Sequence, residues 1–439
     1  MNWLSFFKWL NNDILALPAT IAFLSTALFL TFKTRFLQLR GFGRFVALLR
    51  QGVGGKGTFD VRGAKRTINP FHALFASMST TIGMGSVVGP SVAIIAGGPG
   101  ALFWLLLYIF FGSATKFAEV TFALATRTQT PDGRVVGGPM QYLKAVSGVL
   151  ATWYGMVMIF LFAGWSGLQS NTLATIYAQQ GFPLWATGLV LAVLAWVVLQ
   201  GGAQRVGLVA SKLVPFMFCL YIFFSGWILL AHVDEFVQSM KLVFTTFFTT
   251  SAAVGGCLGA TVFQAVRAGM YRGVFITESG LGTASISHAV ADTKKPSDQG
   301  LLAMYSGLAD LLLSFVSGML VLVTGVCTYG EFRSTLVFEA FGLYAPAIGQ
   351  IALLISISLF ILTTIIGNSF NGTQSFASLT ANRGTRIYQA VTCGVIFLGA
   401  LMPVPLIWEM MDTVLVLVAM PNLLGLVVLS ILRSDVLEC

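Results

Sequence analysis

The sequence predicts an all-α polytopic membrane protein of eleven transmembrane helices: one N-terminal helix, then a five-plus-five inverted repeat. Three observations carry that expectation. The 439 residues are 56% hydrophobic and only 9% charged, with a mean hydropathy of +0.85; soluble domains carry about 25% charged residues. The apolar stretches suit the roughly 20 residues a helix needs to cross a bilayer, and far exceed the roughly 10 alternating residues of an outer-membrane strand. Finally, glycine-bracketed breaks interrupt the first span of each group of five.

In chain order the spans are expected near 14–32, 69–95, 99–125, 151–178, 184–203, 207–231, 251–289, 301–328, 346–379, 387–403 and 406–431. The second, seventh and ninth are longer than a straight crossing requires, which fits a broken or steeply tilted helix. No cleavable signal peptide is expected: residues 1–13 lack a clear basic start and a small-residue cleavage site. Three units follow: residues 1–67, an N-terminal helix and basic loop; 68–250, the first repeat; and 251–439, the second repeat with a short tail. Five spans is an odd number, so the halves would face opposite ways, as inverted repeats do.

Charge placement orients the chain. The loop from Lys33 to Thr67 holds nine Lys/Arg and one acid, Asp60. Alternation puts Arg127, Arg134, Lys144, Arg205, Lys212, Lys294, Lys295, Arg383, Arg386 and Arg433 on the same side, and only Lys8, Lys241 and Arg333 opposite. By the positive-inside rule the N-terminus is outside and the C-terminus cytoplasmic, in a multi-pass cell (inner) membrane protein. The net charge of +9 therefore sets orientation and does not point to nucleic acid. The stretch Arg35–Arg50 is basic and partly amphipathic; it suits either the inner membrane surface or an ordinary positive-inside loop. Cys219, Cys257, Cys327, Cys393 and Cys439 are scattered and are expected to be buried free thiols.

The breaks span Gly83–Pro90 and Arg272–Gly282. Backbone groups freed in lipid are tolerated only where protein or a wet cavity satisfies them, and a matched pair of breaks points to the substrate and ion site of a secondary transporter. No enzyme reading stands beside it. His72, His232 and His288 have no metal-ligand spacing, and no Gly-Lys-Ser/Thr follows Gly97-Gly98-Pro99-Gly100 to make a phosphate loop. Neither a channel's pore-lining ring nor a clustered catalytic set is visible.

Longer motifs give a resemblance. Gly97-Gly98-Pro99-Gly100-Ala101, Ala114-Thr115-Lys116-Phe117-Ala118-Glu119, Gly137-Gly138-Pro139-Met140, Gln169-Ser170-Asn171, Arg272-Gly273 with Glu278 and Gly280, Asp310, Thr364-Ile365-Ile366-Gly367, Trp408, Asp412 and Pro421-Asn422 together resemble the alanine/glycine:cation symporter family over nearly the whole chain. The resemblance implies a LeuT-like fold and sodium-coupled uptake of a small neutral amino acid, with sodium as coupling ion and no other cofactor. The family's Thr and Asn in the first break are Met84 and Ser86 here. Its Ser-Asn-Glu-Ala is Ile276-Thr277-Glu278-Ser279, and its Trp-Ser-Tyr-Tyr-Gly-Glu is Asn368-Ser369-Phe370-Asn371-Gly372-Thr373. These departures cluster by the pocket, so alanine or glycine specificity does not carry over with the fold. A proton-coupled or sodium-independent transporter of another small solute on the same fold stays open.

Candidate residues follow. The amides around Met84, Gly85 and Ser86 suit an amino acid's carboxylate, because a half-helix N-terminus presents unpaired N–H groups and a positive dipole end. Gln169, Phe275, Thr277 and Asn368 complete the expected substrate set. Thr363 and Thr364 match the family's Ser-Thr pair and, with carbonyls near Thr80, Thr81 and Gly83, would offer sodium the oxygen it prefers. Helix packing through the glycines and threonine bonds one turn back are the bland alternatives. Asn171 is expected to brace a neighbouring helix. Glu278 is open to three roles: receiving the substrate's ammonium, coordinating a cation, or carrying a proton; or it pairs structurally with Arg272 or Arg267. Asp310 is placed in the same charge or gating network. Lys116 and Glu119 read as a local ion pair at helical spacing.

Overall fold

The computed structural model describes residues 3–54, 67–129, 135–248, 261–329, 336–344, 348–402 and 404–438. Fifteen helices matter here. They are α1 Trp3–Lys33, α2 Phe42–Gly54, α3 Pro70–Thr81, α4 Met84–Gly97, α5 Gly100–Ala125, α6 Gly148–Ala178, α7 Leu184–Leu199, α8 Gly202–Ala231, α9 Val233–Thr246, α10 Val262–Thr277, α11 Thr283–Ala289, α12 Pro296–Val323, α13 Ile348–Thr380, α14 Thr385–Gly399 and α15 Val404–Leu432.

Among the described residues, eight helices are long and apolar enough to cross a membrane, α3 and α4 counting as one. Each of the eleven expected stretches carries helix. Three fall outside that group: α7 and α14, of 16 and 15 residues, and the broken α10–α11 pair. The seventh stretch begins, at 251–260, outside the described residues.

Both breaks are present and both are shorter than expected. In the first, the chain leaves helix only at Ile82 and Gly83, and α4 restarts at Met84 with Pro90 inside it. A proline lacks the N–H that would bond four residues back, so it loosens this helix without ending it. In the second, α10 stays helical through Thr277 and the break is Glu278–Gly282. Glu278, Gly280 and Gly282 all have positive φ, at 56°, 96° and 80°. Glycine adopts that region without steric penalty, which is why two of the three positions are glycine.

The two broken helices lie against each other crosswise. α4 packs on α10, and α3 packs on α11. α5 supports α10, α11 and α12, while α6 supports α13, α14 and α15. The two largest apolar clusters among the described residues fill most of the interior. One contains Trp165 and Phe275 with residues of α1, α5 and α15. The other contains Ile82 and Met84 with residues of α8, α12 and α13. The breaks lie along their seam.

Cys257 and Cys439 lie outside the described residues, and the other three cysteines differ from expectation. Cys219 and Cys393 are free, Cys219 exposed and Cys393 half-buried, while Cys327 is disulfide-bonded. The basic stretch divides into a short helix, Leu37–Arg40, and the start of α2, which is docked by an Arg44–Asp298 ion pair at 2.5 Å and by Phe45 stacked on Tyr305 at 4.6 Å between ring centroids.

Candidate functional site between the two breaks

A cavity lies where the breaks meet. Thr80, Thr81, Gly85, Trp165, Gln169, Phe275, Glu278, Thr364 and Asn368 line it, and it is narrow, with a volume of about 10 Å³, about the room one water needs. The sequence therefore brings eight of its candidates to one place. Trp165 it missed: a tryptophan inside an apolar run gives no signal that separates a cavity wall from core.

The cavity wall holds polar atoms that have no partner. The Thr81 hydroxyl, Trp165 Nε1, Gln169 Oε1 and Asn368 Oδ1 are all buried without a hydrogen bond. Buried polar groups in folded proteins are nearly always satisfied, so four around one void mark a place for a polar ligand. The helix ends add polarity. α4 begins at Met84, and the first N–H groups of a helix have no intrahelical acceptor; Ser86 N turns back to Gly83 O at 3.2 Å, and Gly85 brings that end to the cavity wall. The C-terminus of α10 arrives from the other side with Glu278 as its cap. One side thus suits an anion and the other a cation.

Glu278 Oε2 accepts from Thr80 at 3.2 Å and from Thr283. Its structural pairing with Arg272 or Arg267 is overturned. Arg272 meets Asp412 at 3.5 Å, and Arg267 donates to Asn12. Asp310 faces Lys116 at 3.9 Å, both fully buried. The four residues expected in one charge network therefore have separate partners, because α10 turns its arginines outward before the break turns Glu278 inward.

Lys116 and Glu119 do not form the expected local pair. Glu119 instead accepts from Gly280 N, Gly282 N and Asn422 Nδ2 at 3.0, 2.9 and 2.8 Å. Asn171 braces as expected, donating to the carbonyls of Gly399 and Met402 at 2.8 Å each.

Several candidates sit beside the cavity rather than on it. Met84 is packed with Ile82 and Val87 in the second apolar cluster, so its side chain does not widen the cavity. Ser86 Oγ donates to Thr81 O at 3.0 Å across the first break. Thr277 donates to Gly273 O at 2.8 Å and accepts from Ser279 N at 3.3 Å. Thr363 turns toward Met217 and its own helix. Thr364 is the member of the pair that meets the break. It donates to Phe360 O at 2.8 Å, and a Cβ built on Gly83 would come 2.3 Å from its Oγ1. Only glycine allows that approach.

A second cavity of about 270 Å³ lies toward the start of α1, lined by Asn12, Gln264, Arg267, Tyr271, Arg272 and Asp412 among others. Between the two cavities Phe275 touches Trp165 and Trp408, with ring centroids 5.6 and 5.4 Å away. The Arg272 guanidinium lies 5.8 Å from the Phe275 ring and 5.4 Å from Trp408, within cation–π range.

Two breaks side by side around a small polar cavity, within a mostly helical fold whose described residues add only the short ladder of Thr128–Gln129 with Val135–Val136, are the arrangement of a LeuT-like fold. Solved structures share the fold. MhsT in complex with L-phenylalanine matches with a TM-score of 0.58 at 14% identity, over 85% of this chain and 91% of that one. A substrate-bound, outward-open Na+-coupled sialic acid symporter matches with a TM-score of 0.55 at 14% identity, over 90% and 82%. The chain belongs to the sodium:alanine symporter family, whose profile matches residues 1–438. An uncharacterized transporter of Haemophilus influenzae is 33% identical over 95% of this chain and 92% of that protein. The sodium/alanine symporter AgcS of Methanococcus maripaludis is 29% identical over 98% and 95%, and the probable sodium/glutamine symporter GlnT of Bacillus subtilis is 29% identical over 95% and 87%.

Proposed function

We propose that this protein is a sodium-coupled symporter that brings a small neutral amino acid into the cell by alternating access. The observation that carries the reading is the narrow cavity between the breaks with its unpartnered Thr81, Trp165, Gln169 and Asn368 atoms. A zwitterion fits its polarity: carboxylate toward the amides of Met84, Gly85 and Ser86, ammonium toward Glu278 and the carbonyl end of α10. Gln169, Phe275 and Asn368 contact the rest of the substrate, and Thr277 holds the break from behind.

Sodium is assigned to the oxygens of Thr80, Thr81, Gly83 and Thr364, with Thr363 as a second-choice ligand because its hydroxyl faces away. Glu278, bonded to Thr80, supplies nearby negative charge. Arg272, seated between Asp412 and the rings of Phe275 and Trp408, closes the cavity toward the larger vestibule; Arg267 lines that vestibule. The family name, and the alanine and glutamine in the relatives' names, support this substrate class.

Eleven spans and an inverted repeat belong to the same proposal. The crosswise contacts of α4 with α10 and α3 with α11 support it, since they match first half-helix to second, as oppositely directed broken helices do. Domain limits at 67 and 250, an outside N-terminus and a cytoplasmic C-terminus complete it.

The test is uptake into proteoliposomes under an imposed sodium or proton gradient, with labelled amino acids of graded size. A sodium gradient should drive uptake and a proton gradient should not. Equal uptake in sodium-free buffer at fixed pH would overturn the assignment.

A further inference from the structure

Every backbone N–H and C=O from Glu278 to Gly282 has a partner, although the segment is not helical. Local bonds account for part of this: Glu278 N to Val274 O, Leu281 N to Glu278 O, Ser285 N to Gly282 O, and Ser279 N to Thr277 Oγ1. The rest comes from side chains on other elements. Gly280 N and Gly282 N both donate to Glu119 Oε1. Ser279 O accepts from Tyr108 at 3.0 Å, Gly280 O from Asn422 at 2.8 Å, and Leu281 O from Tyr154 at 2.6 Å. Asn422 also donates to Glu119 Oε1, and Tyr142 donates to Asn422 Oδ1 at 2.5 Å.

Glu119 is the centre of this array. One carboxylate oxygen of a fully buried residue receives three N–H groups, and its Oε2 has no partner. Leaving such buried donors without an acceptor costs more than a hydrogen bond contributes on average. Glu119 is not part of the cavity wall, whereas Glu278 is. Glu119 holds the segment by the amides of Gly280 and Gly282, while Glu278, its first residue, reaches out of it to Thr80 and Thr283.

We propose that Glu119 is a positioning residue for transport: by holding the amides of Gly280 and Gly282 it fixes the left-handed turn that aims Glu278 at Thr80 and the cavity. The proposal rests on the reading of that cavity as the transport site. A segment satisfied by its own scaffold stays non-helical without a ligand, so Glu278 is pre-set before anything binds. Asn422 and Tyr154 serve the same end from α15 and α6.

The test uses the full-length protein in lipid nanodiscs, with sodium as the probe. Two quantities are read: amide hydrogen exchange over residues 279–283, and the sodium concentration giving half of the tryptophan fluorescence change. In Glu119→Ala both should rise by about tenfold or more, as expected when three buried donors lose their one acceptor, while α12 stays protected. Glu119→Gln keeps an acceptor oxygen and should restore most of both. Tyr154→Phe removes one bond without touching the carboxylate; it should shift both quantities the same way by less, and it decides the matter where Glu119→Ala does not fold. A merely structural role would lower the yield and loosen the segment but leave the sodium midpoint of the folded protein unchanged, and that result overturns the proposal. So does unchanged exchange. A wild-type protein with no sodium response defeats the transport reading instead, and the exchange arm then still decides whether Glu119 holds the break.

Discussion

The Thr80 hydroxyl, whose one proton is shared between Ser77 O at 2.9 Å and Glu278 Oε2 at 3.2 Å, ties the first broken helix to the second at the cavity wall. The bond matters because it joins the oxygen-rich end of α3 to the one carboxylate lining the cavity. Any ligand that enters must be read by both helices at once, and that is what coupling between an ion and a solute requires.

Thr80→Val keeps the shape of the side chain and removes the bond, together with the hydroxyl's contact to Ser77 O in its own helix. A hydrogen bond to a charged group contributes about 1.5–3 kcal/mol. The half-saturating sodium concentration should therefore rise by roughly tenfold or more, while Thr283 still holds Glu278. Uptake measured against sodium at fixed pH gives the answer. An unchanged half-saturation would mean the bond is structural only.

Gly83 and Thr364 should be energetically coupled. Gly83→Ala forces a Cβ to within 2.3 Å of Thr364 Oγ1, and overpacking of this kind costs about 1–3 kcal/mol. Thr364→Ala removes that oxygen, so the double variant should regain much of the lost thermal stability. It should not regain sodium dependence, because the proposed ligand is gone. Thermal melting and sodium-dependent uptake together separate the two effects. Additive melting losses would show that the residues do not meet as described.

Arg272→Lys should loosen the barrier between the vestibule and the cavity. Lysine keeps the charge near Asp412 but lacks the planar guanidinium that lies against Phe275 and Trp408. A cysteine placed at Thr81, behind Phe275, should then react faster with a membrane-impermeant thiol reagent than in the parent. Equal labelling rates would remove Arg272 from the closing device.

The sequence made the fold legible where physics is one-dimensional. Apolar length gave the helices, and glycine clusters gave both breaks. The limits of the breaks were not legible. Met84–Pro90 looks like helix-breaking sequence, yet a helix held by α10 and α12 absorbs both glycine and proline. Side-chain direction was the other gap. Thr363 and Thr364 are equivalent in composition, but one turns to Met217 and the other to Gly83. Lys116 and Glu119 share helical spacing, but one meets Asp310 and the other a loop 161 residues away in sequence. Such pairings belong to tertiary packing, which local spacing does not encode.

Substrate size is the last expectation that the structure sharpens. Met84 and Asn368 both stand where the family has other residues, but only Asn368 lines the cavity, with its Oδ1 unpartnered. An amide in place of the family's indole leaves room and offers hydrogen bonds, so the preferred substrate should be larger or more polar than alanine. It should remain zwitterionic, because the α4 N-terminus and Glu278 are both in place. Asn368→Trp should narrow the accepted range toward glycine and alanine. A change of buried bulk discriminates by about 1–3 kcal/mol, or roughly tenfold to two-hundredfold. Competition by amino acids of graded size against the best wild-type substrate measures it. If alanine and glycine prove to be the best wild-type ligands, the space beside Asn368 is not where the substrate's side chain goes.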